Sequence, residues 1–256
     1  MLPFVLLHGL IGPLADARTI SLLRPATVVC PDLLGYGTEA DADPAGITIE
    51  AQIEYVRAIT DRTVPDTRVH VVGHSVGGII AMVFAHRFPH RVASVINVEG
   101  NFTLADAFWS AQLARMSPAE VSDLLEADRA DPARWLRDGG VEPTEEHLRS
   151  AAEALAYQPA TTVRAMAQAV VEFTGAAGYE PLLRDVFEHT PVHLVAGERS
   201  RPGWSVPAWA LTAAASYTEI SQSGHMVMLE APEAFGNKLR KLVDNRNIHQ
   251  DPRSPA

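Results

Sequence analysis

Arg68-Val69-His70-Val71-Val72-Gly73-His74-Ser75-Val76-Gly77-Gly78 is the stretch on which the reading of this chain turns. Residues 68–72 read as a short buried strand, and residues 79–88 continue apolar as a helix that stops at Pro89. Between them stands a serine with a glycine two residues before it and another two residues after it. A serine at a sharp strand-to-helix turn takes strained backbone angles, and small residues at those offsets let strand and helix approach closely. The turn lifts the hydroxyl clear of the sheet and aims the following N–H groups at whatever it attacks. The glycine–x–serine–x–glycine pattern is weak alone; the strand before it and the helix after it give it meaning.

Outward from this turn the same rhythm recurs. Short apolar runs at 4–7, 27–30, 93–98, 192–196 and 217–220 end at or run into His8-Gly9, Pro31-Asp32, Glu99-Gly100, Gly197 and Ser221. Continuous apolar strands of this kind suit a parallel sheet covered on both faces. Between them Ile49, Ile53, Val56 and Ile59 make one helical stripe, and Phe235, Leu239 and Leu242 make another after Pro232. Strand–helix alternation predicts an α/β fold with a doubly wound, mostly parallel sheet.

Residues 101–186 break the rhythm. No strand-like run occurs there, whereas Ser117-Pro118-Ala119-Glu120 has a capping-box form with proline at the first helical position. Thr144 caps a helix beginning at Glu145, and Val163, Met166, Val170 and Phe173 form a later stripe. The expected organisation is a core of 1–100 and 187–243, an all-helical cap of 101–186, and a frayed tail over 244–256.

Composition narrows the function classes. The 256 residues are 47% hydrophobic and 20% charged, as in a globular chain with a sizeable core. A net charge of −10 disfavours nucleic acid and anionic membranes as partners, and leaves a small-molecule substrate. The single Cys30 excludes an internal disulfide. No charged leader precedes an apolar stretch and no apolar run of about 20 residues occurs, so the expected location is cytoplasmic. No cofactor and no metal is implied: C-x-x-C, H-E-x-x-H and G-x-G-x-x-G are all missing.

A serine hydroxyl needs a base. His225, in Ser223-Gly224-His225-Met226 after the final strand, is the candidate. His86 and His90 are interrupted by Pro89 and lack a completing carboxylate; His147, His189, His193 and His249 lack motif context. Leu10, in the turn after the first strand, and Val76, after the serine, are placed to offer backbone N–H groups to a developing oxyanion.

His8-Gly9, Asp32-Leu33-Leu34-Gly35-Tyr36-Gly37, the Gly73–Gly78 turn, and Ser223-Gly224-His225 with Glu230-Ala231-Pro232-Glu233-Ala234-Phe235 together resemble the α/β-hydrolase superfamily in order and spacing. The resemblance covers 4–99 and 190–243 and implies an esterase- or lactonase-like serine hydrolase with a helical cap, its sheet starting at what resembles the family's strand three. Leu34 and Thr38 stand where the family pattern has proline and serine. The resemblance offers two positions for the acid that orients His225. The more common one falls near Gly197-Glu198-Arg199-Ser200, where serine occupies the usual aspartate position and Glu198 is offset; the other falls on Glu99, at the end of a strand. Ser75, Glu99 and His225 are the expected triad, with Glu198 as the alternative acid.

The expected substrate is a small, neutral, largely apolar ester or lactone. Phe102, Leu104, Phe108, Trp109, Trp135 and Met226 are the candidate pocket residues. The same triad also serves carbon–carbon bond hydrolysis, lyase and perhydrolase chemistry, and this fold also makes small-molecule receptors.

Overall fold

In the computed structural model, which describes residues 1–14 and 16–244, six strands form one sheet. They are β1 (Phe4–Leu7), β2 (Val28–Val29), β3 (Val69–His74), β4 (Val92–Val98), β5 (Val192–Gly197) and β6 (Ser216–Ile220). The order is β2-β1-β3-β4-β5-β6 and every pairing is parallel. The expected run at 27–30 is shorter than read, pairing through Val28 and Val29 only.

Alternation along the strands assigns the two faces. Val5, Leu7, Val71, Val95 and Leu194 bury into one cluster, whereas Phe4, Leu6, Val72, Ile96 and Val195 bury into the other. Helices α1 (Ala17–Leu22) and α12 (Pro232–Asp244) pack together, with Phe235 and Leu239 in the second cluster. Helices α2 (Ile49–Thr63) and α3 (Val76–Arg87) supply Ile53, Val56, Ile79 and Ile80 to the first. The sheet is thus covered on both faces, as its unbroken apolar strands require.

Between β4 and β5 lie α4 (Phe108–Arg115), α5 (Pro118–Ala130), α6 (Pro132–Asp138), α7 (Glu145–Ala156), α8 (Ala160–Gly175) and α9 (Tyr179–His189). Ser117 and Glu120 form the capping box of α5, and the Thr144 hydroxyl accepts from the His147 N–H at the start of α7. Helices α4 and α5 pack on α8, and α6 packs on α7, so these five bury their apolar faces against one another. Helix α9 behaves differently: it packs on α3, and Leu183 and Val186 join the cluster under the sheet. Two further short helices, α10 (Ala208–Ala213) and α11 (Val227–Glu230), flank β6. Asp244 is the last residue of α12; the rest of the expected tail, 245–256, lies outside the described residues. Among the described residues no helix is long and apolar enough to cross a membrane.

Candidate active site

Ser75 sits between β3 and α3 at φ 52° and ψ −118°, outside the regions an L-residue ordinarily occupies. Its N–H donates to the Val98 carbonyl at 2.9 Å, tying the turn to the neighbouring strand. The glycines around it are there for space. A Cβ on Gly73 would lie 2.2 Å from the Gly77 carbonyl oxygen, and one on Gly77 would lie 2.2 Å from that of Leu7. The strand, the helix and β1 therefore meet backbone to backbone beneath the serine.

His225 lies on the loop from β6 to α11, and Glu99 directly follows β4 with φ 47°. The structure brings them together: His225 Nδ1–H donates to Glu99 Oε2 at 2.7 Å. The other carboxylate oxygen accepts from the Gly197 N–H at 2.7 Å and from the Ser200 hydroxyl. Burial opposes ionisation of Glu99. The His225 hydrogen bond and charge, with the Ser200 and Gly197 donors, outweigh it and hold the carboxyl below its ordinary value. Glu198 is engaged elsewhere, accepting from the Gln222 N–H at 2.8 Å. Ser200, where the resemblance has its commoner acid, serves Glu99 as a donor instead.

Ser75, His225 and Glu99 all line one cavity of about 550 Å³, together with Leu10 and Val76. As the first residue of α3, Val76 has an N–H with no partner inside its own helix. Phe108, Trp109, Trp135 and Met226 line the same cavity. Phe102 and Leu104 do not. Phe102 is buried among Phe187, Trp204 and Trp209, and Leu104 is exposed. Ile11, Asn101, Leu124, Asp128 and Trp204 also line the cavity without having been expected to. Among the described residues no group of His, Cys, Asp or Glu side chains could hold a metal ion.

Two further histidines frame the site as neutral, buried groups. His74 donates from Nε2–H to the His225 carbonyl oxygen at 2.9 Å, and the two rings lie 4.6 Å apart. Burial, then the charge on His225, pushes His74 well below the usual imidazole range. His8 donates from Nδ1–H to the Gly9 carbonyl at 2.8 Å, leaving Nε2 to accept from the Leu33 N–H at 3.4 Å. Burial lowers its pKa from 6.5 to about 4, against the pull of that hydrogen bond and of Asp32. The unfolded chain therefore takes up a proton near pH 6.5 that the folded chain refuses until about pH 4. Stability should fall as pH drops through that window. Melting curves should show it, with a smaller fall in a His8→Gln variant; equal falls in both proteins would remove His8 as the cause.

A protein-family model described as "Alpha/beta hydrolase family" matches residues 4–237. The 2-hydroxy-6-oxo-2,4-heptadienoate hydrolase of Pseudomonas putida is 33% identical over 140 residues, covering 50% of this chain and 50% of that protein. Lipase 1 of Psychrobacter immobilis is 29% identical over 114 residues, covering 44% of this chain and 34% of that one. The chain thus spans half or less of the length of these curated relatives. A solved structure from a study of carboxylesterases of the thaumarchaeon Nitrososphaera gargenis superposes with a TM-score of 0.72 at 16% identity, over 96% of this chain and 91% of that one.

Proposed function

The chain belongs to the alpha/beta hydrolase family, and from that premise we propose that it is a serine hydrolase of small, neutral, largely apolar carboxylic esters or lactones. One observation carries the reading: the 2.7 Å bond from His225 Nδ1–H to a buried Glu99, in the cavity that Ser75 also lines. Nδ1 is the donor in that bond, so neutral His225 keeps its acceptor lone pair on Nε2, the nitrogen a general base uses.

Ser75 attacks the ester carbonyl while His225 takes its proton. The Leu10 and Val76 N–H groups stabilise the tetrahedral oxyanion, each contributing on the order of 3 kcal/mol. His225 then protonates the leaving alcohol, and water activated by the same nitrogen releases the acid from the acyl-enzyme. Glu99 fixes the tautomer and stabilises the imidazolium. Helices α4–α6 close the cavity from the cap side with Trp109, Leu124 and Trp135.

The Pseudomonas putida relative is named for a dienoate, which is a carboxylate. Among the described residues, no lysine or arginine lines this cavity. That supports a neutral ester over an anionic substrate, because a buried anion needs a partner.

Incubation with a serine-directed fluorophosphonate should raise the intact mass by one adduct, mapped to Ser75, and should stop hydrolysis of p-nitrophenyl butyrate. A protein that forms no adduct and hydrolyses no activated ester is not a serine hydrolase.

A further inference from the structure

Two polar side chains in the catalytic cavity have no part in the chemistry just described. Asp128 of α5 is 7% exposed and Asn101 is 6% exposed. Both line the cavity. Asp128 Oδ1 accepts from Arg134 at 2.8 Å, and among the described residues Oδ2 takes no hydrogen bond and is left open to the cavity. The Asn101 side-chain oxygen is buried without any hydrogen-bond partner.

Buried acceptors left unpaired cost free energy, and native proteins satisfy nearly all of them. Two other carboxylates that line the cavity are already engaged. Asp106 accepts from the N–H groups of Phe102, Thr103 and Ser205, and Glu99 is saturated by His225, Gly197 and Ser200. Asp128 also rises from the helix stripe of Val121 and Leu125, both fully buried, where an apolar residue would pack without penalty. Its Arg134 partner lies outside the lining, so the cavity meets the carboxylate and not the guanidinium.

We propose that Asp128 and Asn101, which line the same cavity, are acceptors of the substrate site and take an O–H or N–H donor carried by the non-reacting part of the substrate. This inference rests on the hydrolase reading and deepens it: among neutral esters the favoured one bears a hydroxyl, an ammonium in that place is also accepted although it lies outside the neutral class, and a carboxylate there is rejected. A donor reaching Asp128 completes the hydrogen-bonding capacity of a carboxylate already clamped by Arg134. A substrate carboxylate would face Asp128 with no cation between them.

Calorimetry on the wild-type protein with 1-hexanol, hexylammonium, 1-methoxypentane and hexanoate tests this without requiring turnover. The alcohol and the ammonium should each bind about tenfold or more tighter than the ether, which accepts but cannot donate. Hexanoate should bind weakest. Asp128→Asn, which preserves shape and the bond from Arg134, should remove most of the ammonium advantage and keep that of the alcohol; Asp128→Leu combined with Asn101→Leu should remove both. Equal affinity for the alcohol, the ammonium and the ether in the wild type would overturn the inference. So would preferences that survive the combined Asp128→Leu and Asn101→Leu variant. Missing ester turnover or a missing adduct on Ser75 would tell instead against the hydrolase reading, so the two failures are separable.

Discussion

Glu99→Gln should lower turnover of an activated ester about 10⁴-fold, whereas Glu198→Gln should leave it near the wild-type rate. The size of the effect follows from which way the new amide must face. In the wild type, Oε1 of Glu99 receives two donors, the Gly197 N–H and the Ser200 hydroxyl. An amide oxygen can take that place and an amide NH2 cannot. The NH2 group is therefore turned toward His225, where the carboxylate had accepted from Nδ1 at 2.7 Å. Nδ1 must then become the acceptor and the ring proton moves to Nε2, so the nitrogen required as base is blocked. The loss should fall on kcat, with KM little changed, because substrate does not meet this hydrogen bond. The wild-type carboxyl, held below its ordinary 4.5, also stabilises the fold above that pH and loses the contribution as pH falls through its lowered value. The Gln variant should lack that share of the acid-induced fall in stability. Near-full activity in Glu99→Gln would dismiss Glu99 as the orienting acid, and loss in Glu198→Gln would promote the other carboxylate.

Features written in contiguous residues were legible. The strand–Gly–His–Ser–Val–Gly–Gly–helix turn, the Ser117–Glu120 capping box and the Thr144 cap are local physics, and each is found where its residues predict. The acid was legible as a pair of choices only, because its selection depends on where the Ser200 and Gly197 donors lie in space. Pocket residues were harder. Phe102 and Leu104 belong to a loop whose side chains obey no period, so nothing local says that Phe102 turns inward to Trp204 while Leu104 faces solvent. Asp128 did leave a signal. It follows Val121 and Leu125 at helical spacing, and a carboxylate on a buried stripe asks for an explanation. The place where α9 returns to α3 was hidden for another reason. Gly175 and Gly178 mark the break before it, but a helix that packs on the inserted helices and one that packs back on α3 carry the same apolar stripe.

Gly77→Ala should damage stability and activity together, and the cause is a single methyl group. On helix propensity alone the change favours the variant by about 1 kcal/mol. The added Cβ, however, would lie 2.2 Å from the Leu7 carbonyl oxygen and 2.6 Å from that of His8. Those are backbone atoms at the end of β1, which is fixed between β2 and β3 by parallel pairing, with Leu7 opposite Gly73. No side-chain rotation relieves the clash, so the helix or the strand must move. Overpacking of this kind costs up to about 3 kcal/mol or more, leaving a net loss of about 2 kcal/mol. At about 2–4 °C per kcal/mol for a chain of this size, melting should fall by roughly 4–8 °C. Displacement of β1 also carries Leu10, three residues beyond its end, away from the position proposed for its N–H at the oxyanion. A shift of about 1 Å there should cost about 10²-fold in kcat. Gly178→Ala is the matched control, since Gly178 lies outside the cavity lining, has right-handed helical angles, and a Cβ there meets nothing within 4 Å. Unchanged melting and unchanged kcat in Gly77→Ala would mean that β1 and α3 do not hold the Ser75 turn as the backbone contacts require.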